Sequence, residues 1–467
     1  MRLCFSICFL FILCGIQAQG LYQNYGQNTT GKRKIAYSIY QDNIEIIYYP
    51  GGEELAKLTL EKVVRIIPEY ETRLNYNISN GIKITVFNHY EDFKNSNINI
   101  TNPQYYAGGY SQLSDNSASV YFDGSRVNLD KQIRKAVAEV LINEFIYGGN
   151  IRERIQTVAL LTLPNWYYKG LVEYLAESWN ISKDNFLKDF FQNKKQRYFT
   201  SLQREDEILA GHSIWRYLEE KYGKGAVSNI VFLTKVGKSV ENAVIYYTGM
   251  NMNLLLNDWQ DFYLDKYKVD ELVFKFPKGQ ENAPSKLAKK QHTQFKLSQD
   301  GSKVAIVTNN LGRYQVVIYS FADKEVKVIC SGGHILLNRD INLNYPLIAW
   351  NPDGKHLSVV LFRDEHPVLI NYDFNGNEKQ SVILKGIPFV KDFCFRPDGK
   401  QLAFSALRNG QSDIVLYNLE SHQAQYINND IFDNFSPRYD AEGRYLYYIS
   451  NKNHEGRESA YYAIYRY

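Results

Sequence analysis

Three polar side chains on two predicted helices have the types and spacing of a metal site. Residues 130–148, DKQIRKAVAEVLINEFIYG, show apolar residues at helical spacing, and Glu139 and Asn143 lie one turn apart within them. Glu173 lies in a second predicted helix, residues 163–179, LPNWYYKGLVEYLAESW. Because positions i and i+4 share one helix face, such a pair and a carboxylate from another helix could converge on one cation. All three offer oxygen donors, which suit hard cations better than zinc.

The two segments resemble the active-site helices of gluzincin zinc peptidases, which are peptidase MA-like enzymes. Such enzymes carry HExxH on the first helix and a third metal ligand on the second, in a segment often written LPxWxxEGLAEY. The match puts Glu173 at the third-ligand position. Its framework is retained at Trp166, Gly170, Leu171 and Tyr174. The resemblance therefore implies a gluzincin-like, zincin-like α+β fold.

The first helix can be aligned with HExxH in two registers. In one, Glu139 is the catalytic Glu, and Ala138 and Ile142 stand at the histidine positions. In the other, Glu139 and Asn143 replace the histidines, and Val140 replaces the catalytic Glu. We favour the second register because it keeps two polar side chains on a shared face. Neither register retains a histidine, so we expect no bound metal or cofactor, no catalytic residue and hence a pseudo-peptidase.

A cleft that persists without metal would hold two carboxylates, Glu139 and Glu173, that repel one another. Each would need a hydrogen-bond donor to stay buried and charged. We therefore expect a cleft sealed by hydrogen bonds and aromatic rings. The expected donors are Asn143, Tyr167, Tyr168 and Tyr174.

The elements around these helices predict an α+β domain over residues 19–270. Residues 34–49 alternate in strand fashion around a QDN turn, and the segment from Leu55 to Ile67 has helical spacing. Two further strands are predicted in IKITVFNH and SASVYFD, and helices dominate from about Asp130 to Tyr267. Residues 271–292 are polar, contain Pro, Gly and Lys, lack periodicity and read as a linker.

Four related segments follow in residues 293–467: LSQDGSKVAIVT, WNPDGKHLSVVLF, FRPDGKQLAFSAL and YDAEGRYLYYIS. Each has an acidic residue and a turn glycine before an apolar strand, and the glycines recur roughly every 45 to 53 residues. The glycines are Gly301, Gly354, Gly399 and Gly443. The repeats resemble the blades of TolB-like and WD-type β-propellers, which implies an all-β second domain.

About four blades are few for a propeller, so we expect a partial one. A fragment of a longer protein, a small four-bladed ring and closure by a partner all fit the pattern. We favour the fragment.

The amino terminus predicts export. Residues 1–18 combine Arg2 with an apolar run and end in small Ala18, as a signal peptide does. A lipid anchor at Cys14 is less expected, because Leu13 before it is not small. The mature chain keeps two cysteines, Cys330 and Cys394, too few for a disulfide framework. A net charge of +4 without a dense basic block argues against nucleic acid as a partner.

The order of signal peptide, YYPGGEELA, VLINEF, LPNWYYKGLVEY, GHSIWRYLEEKYG and propeller repeats is similar to a group of exported Bacteroidetes envelope proteins. These combine a degenerate peptidase-like domain with a propeller, and they carry His where this chain has Glu139. We expect a non-catalytic binding or scaffold protein, in the periplasm or associated with the outer membrane, whose partners are envelope proteins or outer-membrane components. A divergent zinc metallopeptidase and a glycan- or peptide-binding propeller are the alternatives.

Overall fold

The computed structural model describes residues 36–94, 116–193, 198–268, 292–310, 312–334, 345–363, 366–452 and 458–467. The predicted signal peptide, and the predicted linker except its last residue, lie outside the described residues. The described chain forms two compact units. The first is drawn from the chain up to residue 268, and the second comprises the residues from 292 onward with 88–94 and 122–126.

The first unit contains a four-stranded mixed sheet in the order β1-β2-β3-β4. The strands are β1 (Tyr37–Gln41), β2 (Ile44–Tyr48), β3 (Ile82–Phe87) and β4 (Ser117–Tyr121). β1 and β2 form an antiparallel hairpin, whereas β2 pairs with β3 and β3 with β4 in parallel. The predicted QDN turn is confirmed, and its Asp42 adopts the left-handed conformation at φ 51°. Parallel neighbours need a crossover connection, which a helix supplies between β2 and β3.

Helices make up the rest of the first unit, as the sequence predicts. They are α1 (Glu53–Leu74), α3 (Arg126–Tyr147), α4 (Ile151–Leu160), α5 (Asn165–Ala176), α6 (Ile181–Asn193), α7 (Phe199–Glu205), α8 (Glu207–Tyr222), α9 (Ala226–Gly237), α10 (Val240–Thr248) and α11 (Met252–Lys268); the short α2 (Tyr90–Lys94) belongs to the second unit. Their cores are rich in aromatic rings, among them the fully buried Trp215, Trp259 and Tyr263. None of the described helices is long and apolar enough to cross a bilayer.

The second unit contains four antiparallel meander sheets in sequence order. Their strands are β5 (His292–Leu297), β6 (Lys303–Asn310), β7 (Arg313–Ser320) and β8 (Val326–Gly332); β9 (Leu347–Trp350), β10 (His356–Arg363), β11 (His366–Asp373) and β12 (Glu378–Ile383); β13 (Phe389–Phe395), β14 (Gln401–Arg408), β15 (Gln411–Asn418) and β16 (Ala424–Tyr426); and β17 (Asn434–Tyr439), β18 (Leu446–Lys452) and β19 (Glu458–Arg466). Each predicted repeat spans the turn between the first and second strands of one sheet. The four turn glycines have φ between 66° and 73°, which confirms the conformation expected of them.

Buried apolar clusters span each neighbouring pair of these sheets. The cluster between the first and second sheets contains Val307 and Val359, and the cluster between the second and third contains Val360 and Phe404. The cluster between the third and fourth sheets contains Ile414 and Leu446. Three of these sheets have four strands and the last has three among the described residues, and face-to-face packing of successive meanders is the arrangement of propeller blades. The predicted order, an α+β part followed by a β-propeller-like part, is therefore confirmed at the level of architecture.

Candidate functional site

The three residues singled out in the sequence lie on helices α3 and α5. Asn143 is buried on α3, and its Oδ1 accepts a hydrogen bond from the hydroxyl of Tyr168 on α5, with the two oxygens 3.1 Å apart. Glu139 lies half-buried one turn earlier on α3. Glu173 is buried on α5 with 7% of its surface exposed. Asn143 is thus linked directly to the helix that carries Glu173.

Glu173 is held by two lysines. Its Oε2 lies 2.8 Å from the Nζ of Lys135, and its Oε1 lies 2.7 Å from the Nζ of Lys183. Burial by itself raises the pKa of Glu173, but the hydrogen bonds and charges of the two ammonium groups outweigh it, so the pKa is held below its usual value. Glu173 is therefore a carboxylate whose charge is already neutralised by the protein.

The expectation about the donors was wrong for Glu173. Its partners are ammonium groups of Lys135 and Lys183, whereas the hydroxyl of Tyr167 donates to Thr234 at 3.0 Å. Lys135 lies one turn before Glu139 on α3, so the run Lys135, Glu139, Asn143 was visible as one helix face. Lys183 follows Glu173 by ten residues and lies in the first turn of the next helix. Its spacing in the sequence does not indicate that it contacts Glu173.

Lys183 also contacts two further side chains. Its Nζ lies 3.3 Å from Oε2 of Glu177 and 3.3 Å from Nδ1 of His212 on α8. Burial, aided by the positive charge of Lys183, lowers the pKa of His212 to about 3, so the imidazole is neutral. Nδ1 of the neutral His212 ring can accept a hydrogen bond from an N–H of the Lys183 ammonium.

Aromatic rings enclose His212. The rings of Trp179 and Tyr174 meet the imidazole edge-on, with ring centres 5.1 Å and 6.1 Å away. The guanidinium of Arg216 lies 4.6 Å from the centre of the Trp179 ring. His212 is only 2% exposed and lies inside α8.

A close helix crossing brings His212 and Glu173 together. A Cβ on Gly170 of α5 would lie 2.4 Å from the backbone of Gly211 on α8, and one on Gly211 would lie 1.9 Å from the carbonyl oxygen of Trp166. No side chain fits at either position, so the two backbones touch. His212 follows Gly211 directly and Glu173 follows Gly170 by one turn, which sets both side chains beside the crossing.

A second buried carboxylate was not singled out in the sequence. Glu144 on α3 is fully buried and accepts six hydrogen bonds from the residues around it. The donors are the Tyr76 hydroxyl (3.0 Å), the Ser79 backbone and hydroxyl (2.6 and 2.8 Å), the Asn80 backbone and amide (3.3 and 3.1 Å) and the Asn116 amide (2.5 Å). Burial by itself raises the pKa of Glu144, but these hydrogen-bond donors outweigh burial and hold the pKa below its usual value. Glu144 is therefore charged. Glu144 ties α3 to the loop before β3 and is structural.

The zinc site that the gluzincin resemblance implies does not fit the residues present. Each carboxylate oxygen of Glu173 is already paired with an ammonium group. In the described parts of the chain, no group of three or more His, Cys, Asp or Glu side chains is arranged to hold a metal ion. The cations at this site are the lysines.

No protein-family model matches the chain, and no curated protein matches it. Solved structures that match part of the chain include TolB from Acinetobacter baumannii, with 17% identity over 38% of this chain and 41% of that chain and a TM-score of 0.31. A putative TolB from Agrobacterium tumefaciens is 18% identical over 38% of this chain and 58% of that chain, with a TM-score of 0.29. The β-propeller domain of the Trilobed protease from Pyrococcus furiosus is 15% identical over 38% of this chain and 54% of that chain, with a TM-score of 0.28.

The chain spans less than two thirds of each of these structures. The second unit is β-propeller-like because of its four packed meander sheets.

Proposed function

We propose that this protein is a non-catalytic binding or scaffold protein of the cell envelope. It combines a peptidase-like unit that no longer holds metal with a propeller-like unit that contacts other proteins. The observation that carries this proposal is the pairing of Glu173 with both Lys135 and Lys183. An enzyme of the gluzincin type needs that carboxylate for its metal.

The energetic argument is one of competition for the carboxylate. Structural zinc sites gain roughly 10 to 16 kcal/mol from a complete set of ligands, and imidazole or thiolate groups supply most donors. Here a metal would have to displace two ammonium groups to reach Glu173, with no histidine at either HExxH position. Bringing a divalent cation beside two ammonium groups adds electrostatic repulsion. The site is therefore built to stay free of metal.

The propeller-like unit supports a role in binding. Propellers present many loops on a rigid frame, and loops on rigid frames commonly carry recognition. The predicted signal peptide at residues 1–18 supports export, and we propose envelope proteins or outer-membrane components as partners.

Activity and metal content test the proposal together. The purified mature chain is incubated with a peptide library and zinc, before and after chelation, and its metal content is measured. We expect no zinc-dependent cleavage and no tightly held zinc. Zinc-dependent cleavage that is lost in Glu173→Gln, but kept in the exposed control Glu420→Gln, would show a divergent metallopeptidase instead.

The binding role needs its own experiment. Tagged protein is used to capture partners from native envelope, and each partner is then tested for direct binding by the propeller-like unit through substitutions in its loops. Failure to bind any envelope component directly would remove the scaffold role while leaving the loss of catalysis intact.

Exposed tyrosines on β19 and directly after it favour a second candidate, a glycan- or peptide-binding function. Tyr461 is 82% exposed and Tyr467 is 55% exposed, and aromatic rings of this kind supply rigid contact area for such ligands. Glycan and peptide arrays probed with the protein test this function. Binding should fall in Tyr461→Ser and persist in Tyr246→Ser, which removes an equally exposed tyrosine from α10.

A further inference from the structure

One carboxyl group of the third sheet is buried without a hydrogen-bond partner. Asp413 lies near the start of β15 and has no surface exposed to solvent. Among the described residues, none forms a hydrogen bond with either oxygen of its carboxyl group. A buried carboxylate needs donors to stay charged, so the folded protein favours the protonated form of this group.

The segment that joins the third sheet to the fourth lies directly beside this group. We call residues 427–433 the connecting loop. The backbone N–H of its first residue, Ile427, donates to the carbonyl of Ile414 at 2.9 Å. Its last residue forms an isolated bridge with Ser412. The two ends of the connecting loop are therefore held at the two residues that flank Asp413.

The middle of the connecting loop is held by contacts near the surface. Nη2 of Arg408 donates to Oδ1 of Asn429 at 3.1 Å, and Nζ of Lys452 lies 3.2 Å from Oδ2 of Asp430. The Lys452 side chain is 40% exposed, and exposed contacts of this kind contribute little to stability. The loop is therefore anchored at its ends and only weakly held between them.

The charged and titratable groups that face this carboxyl group are Arg408 on β14, Tyr426 on β16 and Asp430 in the connecting loop. Burial raises the pKa of Asp413 to about 7. The positive charge of Arg408 opposes this shift, the negative charge of Asp430 adds to it, and the Asp430 backbone N–H opposes it slightly. Water admitted by an opened loop would return the pKa toward its ordinary value of 3.8.

We propose that the connecting loop is a pH-dependent element of the second unit, closed over Asp413 while this carboxyl group is protonated and opened when the proton is lost to solvent. Because the closed loop holds the proton more tightly than the open loop does, opening becomes more favourable as the pH rises above about 4, and the effect levels off above about pH 7. This local opening goes beyond the proposed function and does not depend on any partner.

Hydrogen–deuterium exchange of the mature chain, followed by mass spectrometry at pH 5 and pH 8, tests the proposal. The rates are corrected for the intrinsic pH dependence of amide exchange. In the closed loop the amides of Ile427 and Asp433 each donate a hydrogen bond, so their exchange reports opening. We expect their protection to fall on the order of 100-fold from pH 5 to pH 8, as a pKa that changes from about 7 to 3.8 requires. The turn at residues 396–401 of the same sheet should show no such fall.

Substitutions then assign the effect to one carboxyl group. In Asp413→Asn the fall in protection should disappear, and Asp413→Ala repeats the measurement if the first variant does not fold. Two controls change neighbouring titratable groups in the turn between β15 and β16. Glu420→Gln removes an exposed carboxylate, and His422→Asn replaces a residue at φ 56°, a conformation that asparagine tolerates. Both controls should behave as wild type.

Two results would overturn the proposal. One is equal protection of the connecting loop at pH 5 and pH 8 in wild type, which needs no variant to fold. The other is a fall in protection that persists when Asp413 is replaced, or that disappears in His422→Asn. Either would mean that the connecting loop does not respond to the protonation of Asp413.

Discussion

The ammonium of Lys183 and the carboxylate of Glu173 form a largely buried ion pair, with 15% and 9% of their side chains exposed. Lys183 belongs to the first turn of α6 and Glu173 to α5. The pair places a protein cation on the carboxylate that a gluzincin would use for zinc. The positive charge that balances the Glu173 carboxylate is therefore supplied by the protein's own lysines.

Replacing either lysine should destabilise the first unit by different amounts. Lys183→Ala leaves a buried carboxylate with one partner fewer, and we expect the free energy of unfolding to fall by about 3 kcal/mol. Lys135 is 39% exposed, so Lys135→Ala should cost only about 1 kcal/mol. Urea unfolding measures both, with the exposed Lys400→Ala as an unaffected control. Equal losses for the two lysines would contradict the burial argument.

Glu144→Gln should be among the most damaging isosteric changes in the first unit. Six donors face this carboxylate, and a glutamine would turn an amide N–H toward some of them. We expect a loss of about 3 kcal/mol in the free energy of unfolding. Chemical denaturation compares this variant with Glu420→Gln, which changes an exposed carboxylate and should behave as wild type.

Glu144 should also make the folded protein less stable at acidic pH. The folded-state pKa of Glu144 lies below the usual 4.5, so unfolding takes up a proton at low pH. Its contribution is complete above pH 4.5 and is lost as the pH falls through the folded pKa. Between pH 5 and pH 3, Glu144→Gln should therefore lose less stability than wild type. An identical pH dependence would mean that Glu144 is not charged in the folded protein.

Asp413 in the second unit should make stability depend on pH in the opposite direction. It is fully buried on β15, and neither carboxylate oxygen accepts a hydrogen bond from the described residues. Burial raises its pKa to about 7, against the nearby positive charge of Arg408 and together with the negative charge of Asp430. Because the folded state holds the proton more tightly, this carboxyl group lowers stability progressively from about pH 4 to pH 7.

Asp413→Asn removes that titration. Relative to wild type, the variant should gain at least about 1 kcal/mol in the free energy of unfolding between pH 5 and pH 8. Denaturant unfolding at both pH values gives the difference. A constant offset between variant and wild type would show that Asp413 does not titrate in this range.

The helix crossing at Gly170 and Gly211 should tolerate no side chain. Gly211→Ala puts a methyl group 1.9 Å from the Trp166 carbonyl oxygen, and we expect a loss of about 3 kcal/mol or more. Gly237→Ala is the control, because this glycine ends α9 with open space around it. Thermal unfolding should leave the control unchanged. A stable Gly211→Ala protein would mean that α5 and α8 can separate.

Local patterns were enough to predict the elements. The alternation around Asp42 predicted a hairpin, the spacing from Leu55 onward predicted α1, and the recurring turn glycines predicted four meander sheets. Each of these signals depends on residues close in sequence, because helix and strand periods and tight turns are local properties. The helix face of Lys135, Glu139 and Asn143 could be read in the same way.

The partners of buried charges could not be read from sequence. Lys183 reaches Glu173 from the next helix, and His212 joins them from α8 only because Gly170 and Gly211 let two backbones touch. The sequence by itself determined the order of helices and strands, the repeated turns and the loss of HExxH. Only the tertiary structure decided that Glu173 faces lysines and that Glu144 is the buried structural carboxylate, because a buried charge is satisfied by whichever groups packing brings within hydrogen-bond distance.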